Sequence, residues 1–163
     1  MLTSITLQNF KGIGDPVTIP IRPLTIMFGK NSAGKSTVVQ ALHYAREVLL
    51  NNNPNADLSE LGGSSVNLGG FESIVHNHDT SLKVRIRLDF DIEAEMGELE
   101  EKMDLYEADP DNPDDFLDLN PVSSVEITVT WSDARQTAIV TRYETSLFGL
   151  PADLIETSAD GRD

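Results

Sequence analysis

A glycine-rich stretch at residues 29–36 has the clearest chemistry in the chain. It fits the pattern G-x-x-x-x-G-K-[S/T] at every fixed position. The glycines let the backbone curl so that its N–H groups face a phosphate. Lys35 brings a positive charge to the β- and γ-phosphates of a triphosphate, and the Ser36 hydroxyl is placed to bind Mg²⁺. The stretch therefore predicts a nucleoside triphosphate site, whose expected contacts are Gly29, Asn31, Ser32, Ala33, Gly34, Lys35, Ser36 and Thr37, with Ser36 as the metal ligand.

The segments on either side fit this interpretation. Residues 24–28 are short and almost entirely apolar, which is typical of a buried strand. Residues 35–50 lack glycine and proline, and their apolar side chains recur at helical spacing. The phosphates would then lie at a helix N-terminus, where unpaired N–H groups and the helix dipole favour anions.

The remaining pattern is mainly that of strands. Period-two alternation and turn residues predict a hairpin from residues 1–10 and 17–21, a half-exposed strand over 82–90, and a second hairpin from 125–131 and 137–143. A helical turn at 57–61 and an acidic helix over 92–106 are further expectations. Residues 109–115 have turn composition and too little apolar surface to order themselves alone.

Composition narrows the class of protein. The 163 residues suffice for one domain with a real core. The net charge is −15, and 14 of the 27 acidic residues lie between Asp89 and Asp118 with one basic residue, so the rest of the chain is nearly neutral. No basic stripe of the kind that follows a nucleic-acid backbone is visible. The absence of cysteine, of a signal peptide and of a long apolar run predicts a cytoplasmic protein without a membrane partner.

Two other polar segments invite a metal interpretation. In the segment His76-Asn77-His78-Asp79, two imidazoles at alternate positions could chelate a metal, but a third ligand is not apparent, so a polar turn is favoured. The acidic run lacks the ligand spacing of a calcium loop, and a solvated insertion over about 91–120 is the expectation. Trp131 is expected to pack on the sheet.

The order of these features resembles a known family. The chain is similar to the start of ABC-class ATPases of the SMC, RecF-like and OLD-nuclease group. The shared features are the strand end Leu7-Gln8-Asn9-Phe10-Lys11, a hairpin, and the loop with Asn31 and the hydroxyl pair Ser36-Thr37. The resemblance covers residues 1–90 well and 122–145 as a strand pattern.

The resemblance implies an α/β fold in which a P-loop nucleotide-binding lobe carries a substantial antiparallel sheet. It implies ATP and Mg²⁺ as cofactors and places Phe10 and Lys11 near the nucleotide. An equally open interpretation is that Phe10 is a core residue and Lys11 a solvated one. Walker B, signature and switch residues are not found, so residues 1–163 are expected to be the N-terminal lobe of an incomplete ATPase head. No catalytic residue is assigned.

Partners and alternatives follow from this expectation. Hydrolysis would need a second head or the remainder of the same ATPase, and DNA would be bound only through the complete protein. A small P-loop kinase is an alternative, although no arginine-bearing lid is evident. A nucleotide-gated interaction module that does not hydrolyse is another alternative. A GTPase is disfavoured because no N-K-x-D motif occurs. An exposed sheet edge predicts self-association.

Overall fold

A computed structural model describes residues 1–29, 34–51, 53–54, 68–92, 122–147 and 149–157. In this part of the chain six strands form one antiparallel sheet with the order β2-β1-β3-β4-β5-β6. The elements are β1 (Leu2–Gln8), β2 (Val17–Pro20), α1 (Lys35–Asn51), α2 (Phe71–Ile74), a 3-10 turn (His76–His78), β3 (Val84–Asp91), β4 (Val122–Ser132), β5 (Thr137–Leu147) and β6 (Leu150–Glu156).

The core lies on one face of the three central strands. Their side chains alternate, so that apolar residues occupy one face and polar residues the other. The register pairs Ile5 with Leu88, and Ile86 with both Leu7 and Ile127. These pairs form a continuous apolar surface across β1, β3 and β4, and this surface needs a second layer to cover it.

Helix α1 supplies that layer. Its buried apolar residues recur every three or four positions and belong to the same cluster as the apolar face of the sheet. The predicted residues Val38, Ala41, Ala45 and Val48 are buried in this cluster, while Leu42 and Leu49 lie partly buried beside it.

Tyr44 is the largest fully buried side chain of α1. Its ring stacks on Phe10 just beyond β1, with the ring centroids 6.1 Å apart and the planes 30° apart. Its hydroxyl donates a hydrogen bond to the Pro54 carbonyl oxygen at 2.7 Å. Tyr44 therefore connects the helix, the end of β1 and the segment after the helix.

Helix α2 closes another part of the core. The ring of Phe71 stacks on Trp131 of β4 at 6.2 Å, so Trp131 packs on the apolar face. Val75, directly after α2, forms an isolated bridge with Phe10. The segment 68–78 thus joins the loop after β1 to the middle of the sheet.

Most of the predicted elements are confirmed. The helix, the strand over 82–90 and both hairpins are present, with β4 and β5 longer than expected. Helix α2 and strand β6 were not predicted. Three further predictions lie outside the described residues: the helical turn at 57–61, the turn segment 109–115 and the acidic helix over 92–106, of which only residue 92 is described.

The predicted buried strand over residues 24–28 is wrong. This segment has no regular structure, and its apolar side chains are exposed, including Leu24 at 78% and Phe28 at 88%. A strand needs a neighbour for its backbone hydrogen bonds. Among the described residues, β1 is already paired by β2 and β3, and no strand pairs with residues 24–28. None of the helices described could cross a membrane.

The Tyr44 contacts give a stability prediction. Tyr44→Phe should lower the free energy of unfolding by about 1 kcal/mol, because it removes the donor to the Pro54 carbonyl oxygen while keeping the stacked ring. Tyr143→Phe is the matched control, since that ring lies partly buried at the margin of the core; its effect should stay within about 0.5 kcal/mol. Urea denaturation of both variants measures the difference.

The same residue predicts a pH dependence. Burial raises the pKa of the Tyr44 hydroxyl above its ordinary value of 10.0, so the folded chain keeps the phenol neutral. The unfolded chain ionises above about pH 10, so this contribution to stability is present below that pH and lost as the pH rises. Between about pH 9 and about pH 11 the natural chain should lose more stability than Tyr44→Phe. Equal losses would show that Tyr44 ionises as freely in the folded chain.

Candidate functional site

The glycine-rich loop is described at its two ends. Gly29 precedes the gap and Gly34 follows it, so Lys30, Asn31, Ser32 and Ala33 lie outside the described residues. Gly34 has a φ of +82°, a left-handed conformation that side chains disfavour. Its carbonyl oxygen accepts a hydrogen bond from the Thr37 N–H at 3.0 Å. Gly34 therefore reverses the chain into the first turn of α1.

Lys35 bridges the two described ends of the loop. It is the first residue of α1, and its side chain turns back so that Nζ donates to the Gly29 carbonyl oxygen at 2.6 Å. The ammonium group is thus directed back toward Gly29. The neighbouring Ser36 is exposed, whereas Thr37 is buried.

The start of α1 is electrostatically suited to an anion. The first turn contains no acidic side chain that could neutralise the free N–H groups of the helix. The helix dipole adds a partial positive charge at this end, and Lys35 adds a full one. The local field at this end of α1 therefore favours an anion.

The structure places Phe10 inside the core rather than on a surface. Its side chain is 0% exposed and lies against Tyr44 of α1. Lys11 is half-buried, and burial lowers the pKa of its ammonium group. The Lys11 N–H donates to the Ile74 carbonyl oxygen at 2.6 Å. Phe10 thus packs against the middle of α1, while Lys11 keeps part of its side chain accessible.

The loop after β1 is held by the segment after α2. Asn9, Lys11, Asn77 and His78 all have positive φ values between 52° and 59°. Gln136 in the β4–β5 turn is the only other such residue, glycine apart, in the described part of the chain. Left-handed backbone in side-chain-bearing residues is costly and persists where the surroundings impose it. The two segments therefore form one tightly constrained unit beside Lys11.

Each of the two imidazole rings in this unit contacts one backbone carbonyl oxygen. Nδ1 of His76 lies 2.8 Å from the Lys11 carbonyl oxygen, and Nδ1 of His78 lies 2.9 Å from the Glu72 carbonyl oxygen. Within the described ranges, no three His, Cys, Asp or Glu side chains are grouped to hold a metal. The segment His76–His78 itself forms a 3-10 turn.

Comparison with known families decides the class of protein. A family model described as AAA ATPase domain matches residues 1–151, which is most of the chain. The chain belongs to the AAA ATPase domain family. Membership indicates an ATP-binding, ATPase function and implies nucleotide binding, typically with Mg²⁺. No curated protein matches the chain.

Within this AAA ATPase domain, sequence reasoning missed two supports of the candidate site. Tyr44 lies three residues after Ala41 and four before Val48, so its helical spacing gave a usable signal. The contact between His76 and the Lys11 carbonyl oxygen joins residues that are far apart in sequence, and no local pattern predicts it.

The turn of the constrained unit gives a prediction with a built-in control. A Cβ at Gly14 would lie 2.9 Å from Nε2 of His76, whose other ring nitrogen is fixed on the Lys11 carbonyl oxygen. Gly14→Ala should therefore lower the free energy of unfolding by about 1–3 kcal/mol. A Cβ at Gly12 would meet nothing within 4 Å, so Gly12→Ala should be neutral or stabilising by up to about 1 kcal/mol.

Denaturant unfolding of the two alanine variants measures this difference directly. Equal stability of Gly12→Ala and Gly14→Ala would contradict the described position of the His76 ring. A further drop in Gly14→Ala stability when His76→Ala is added would also contradict it, because removal of the ring should relieve the clash.

Proposed function

We propose that this AAA ATPase domain binds Mg-ATP at residues 29–37. The observation that carries the proposal is the Lys35 ammonium group, held 2.6 Å from the Gly29 carbonyl oxygen at the N-terminus of α1. This contact keeps a positive charge at the mouth of the loop, where a phosphate oxygen can take the place of the carbonyl oxygen as acceptor.

The residues at the start of α1 have distinct roles in this proposal. Lys35 neutralises the β- and γ-phosphates, while backbone N–H groups at the start of α1 bind the phosphate oxygens. The exposed Ser36 hydroxyl is available to hold Mg²⁺. When bound, the ion stabilises negative charge on the phosphates. Thr37 is buried and its N–H donates a hydrogen bond to the Gly34 carbonyl oxygen, so it stabilises the first turn of α1. Roles for Asn31, Ser32 and Ala33 stay predictions.

Lys11 is the proposed contact outside the loop. Its partial burial and lowered pKa mean that the surroundings penalise the lone charged form. A phosphate nearby would favour that charged form. The left-handed backbone of Lys11 and the contact of its carbonyl oxygen with His76 hold the residue in place. Phe10 acts in this proposal only indirectly, by packing against Tyr44 in the middle of α1.

We further propose that the domain is the N-terminal lobe of an ABC-class head of the SMC, RecF-like or OLD-nuclease group. Support comes from residues 24–28, whose exposed apolar side chains match what a neighbouring strand would cover. That strand, and the residue that activates water, would come from the remainder of the ATPase or from a second head. DNA would be bound only by such a complete protein, and a cytoplasmic location stays part of this proposal.

The nucleotide site is tested by calorimetric titration of Mg-ATP, Mg-GTP and ADP. Lys35→Ala should weaken Mg-ATP binding by on the order of ten- to a hundredfold, because it removes a charge-assisted hydrogen bond to phosphate. Arg46→Ala is the matched control, since Arg46 is an exposed base on the same helix. Its affinity for Mg-ATP should equal that of the natural chain.

Two outcomes would overturn the proposed site. One is the absence of Mg-ATP binding by a chain whose circular dichroism and cooperative unfolding show that it is folded. The other is equal Mg-ATP affinity of Lys35→Ala and Arg46→Ala. Appreciable ATP hydrolysis by this chain alone would instead contradict the proposal that the residue activating water comes from elsewhere.

A further inference from the structure

The polar face of the sheet contains a depression of about 380 Å³ that the nucleotide site does not use. Its lining comes from β3, β4, β5 and the end of β6, together with Lys83 just before β3 and Thr157 just after β6. Side chains alternate between the faces of a strand, so this depression opens on the face opposite the core that α1 covers. A ligand bound there would be separated from the glycine-rich loop by the sheet.

Strand register brings the lining residues together. Thr128 of β4 lies between Arg85 of β3 and Arg142 of β5. The pairing of β4 with β5 shifts after this point, because Val129 pairs with Val140 and Thr141 has no partner in the register. A bulge of this kind re-aims side chains. Thr141 and Arg142 consequently line the same depression although they are adjacent in sequence.

Thr128 has a buried hydroxyl without a partner. The residue is only 3% exposed, and in the described structure no hydrogen bond reaches its Oγ1. The neighbouring hydroxyls are satisfied: Thr130 and Thr141 lie 2.9 Å from each other, and Thr157 donates to the Val140 carbonyl oxygen at 3.1 Å. An unpaired buried hydroxyl is destabilising. Its position in the lining of the depression points to a ligand that accepts its hydrogen bond.

The charges of the depression specify an anionic ligand. Lys83, Arg85 and Arg142 line it together with one carboxylate, that of Glu156. Across the described ranges, no carboxylate lies within ion-pair distance of the Lys83 ammonium group. Arg85 contacts Glu126 through Nε at 3.2 Å, which leaves its two Nη groups to donate elsewhere.

Arg142 acts differently from the other two bases. One of its Nη groups contacts Glu144 at 2.6 Å, and the other contacts Glu156. These carboxylates hold the guanidinium at the rim of the depression. They also place negative charge along the same face, together with Glu126 and Asp89. A long polyanion would meet all of these carboxylates, whereas a small anion in the depression would meet only that of Glu156 beside the bases and the hydroxyl.

We propose that the depression binds a single phosphate oxyanion of a small molecule, held by the Thr128 hydroxyl, Lys83 and Arg85. Phosphate fits because its oxygens accept hydrogen bonds from all three groups and carry the opposite charge. The ligand is separate from the ATP of the proposed function, because the site lies on the other face of the sheet.

The test is a titration of inorganic phosphate into the ¹⁵N-labelled chain, followed through backbone amide shifts. It is carried out in the Lys35→Ala background, so that phosphate at the glycine-rich loop does not contribute. Saturable shifts are expected at β4 and β5 around Thr128 and Arg142. Lys83→Gln and Thr128→Val should each weaken binding by on the order of ten- to a hundredfold.

Matched variants separate the site from general effects. Arg135→Gln removes one positive charge in the β4–β5 turn, and Thr6→Val removes a hydroxyl elsewhere on the polar face. Both should bind phosphate as tightly as the Lys35→Ala parent. Without phosphate, Thr128→Val should be at least as stable as its parent, because it replaces an unpaired hydroxyl by a methyl group of similar shape.

Three outcomes would overturn the proposal. The first is the absence of saturable phosphate-induced shifts in the folded chain, which would mean that water, not phosphate, accepts the hydrogen bond of the Thr128 hydroxyl. The second is equal affinity in Thr128→Val and Thr6→Val. The third is a short DNA duplex that binds more tightly than phosphate and needs the same residues, which would assign the depression to a polynucleotide. Failure of Mg-ATP binding at residues 29–37 would leave this titration unaffected.

Discussion

The packing of α1 on the apolar face of the sheet is the constraint on which the rest of the structure depends. This packing fixes where the helix begins and therefore where its N–H groups and Lys35 point. The stack of Tyr44 on Phe10 fixes the helix at the end of β1, and the unit around Lys11 and His76 holds that end in turn. The position of the candidate loop is thus set by buried aromatic contacts outside the loop itself.

A single choice of strand register sets the chemistry of both faces. Because side chains alternate, the pairing that places Ile86 beside Ile127 also places Arg85 beside Thr128. A shift of one residue would move the apolar set into solvent and the arginines into the core. The apolar side can therefore specify the fold while the polar side remains free to collect bases, hydroxyls and carboxylates.

The sequence predicted those elements whose signal is local. Helix α1 and the central strands were found because their apolar residues repeat at a period set by the element itself. The segment 24–28 was wrongly predicted to be a strand. Its apolar composition is typical of a buried strand, but a strand also needs a neighbouring strand to pair with, and none pairs with it among the described residues. Helix α2 is only four residues long, and every residue of β6 is exposed, so neither has a periodic signal.

The same limit applies to the candidate sites. The loop at 29–37 could be predicted as a candidate because its residues are contiguous in the sequence, and its phosphate chemistry stays a prediction. Phe10 could be assigned to the core only once Tyr44 was placed against it. The depression on the polar face has no motif, since its residues come from four strands. Only the paired strands show that Thr128 faces two arginines.

The polar side of the β4–β5 pair explains why the unpaired hydroxyl occurs at Thr128. Serine and threonine hydroxyls are matched across the two strands at Ser124 with Ser146, 2.8 Å apart, and at Thr130 with Thr141, 2.9 Å apart. The bulge interrupts this series and places Arg142 opposite Thr128, but the carboxylates on either side draw the guanidinium away. A strand selected only for packing would carry valine at this position. Thr128 thus lies between Arg85 and Arg142 with an unpaired hydroxyl, which is the arrangement that the proposed phosphate would use.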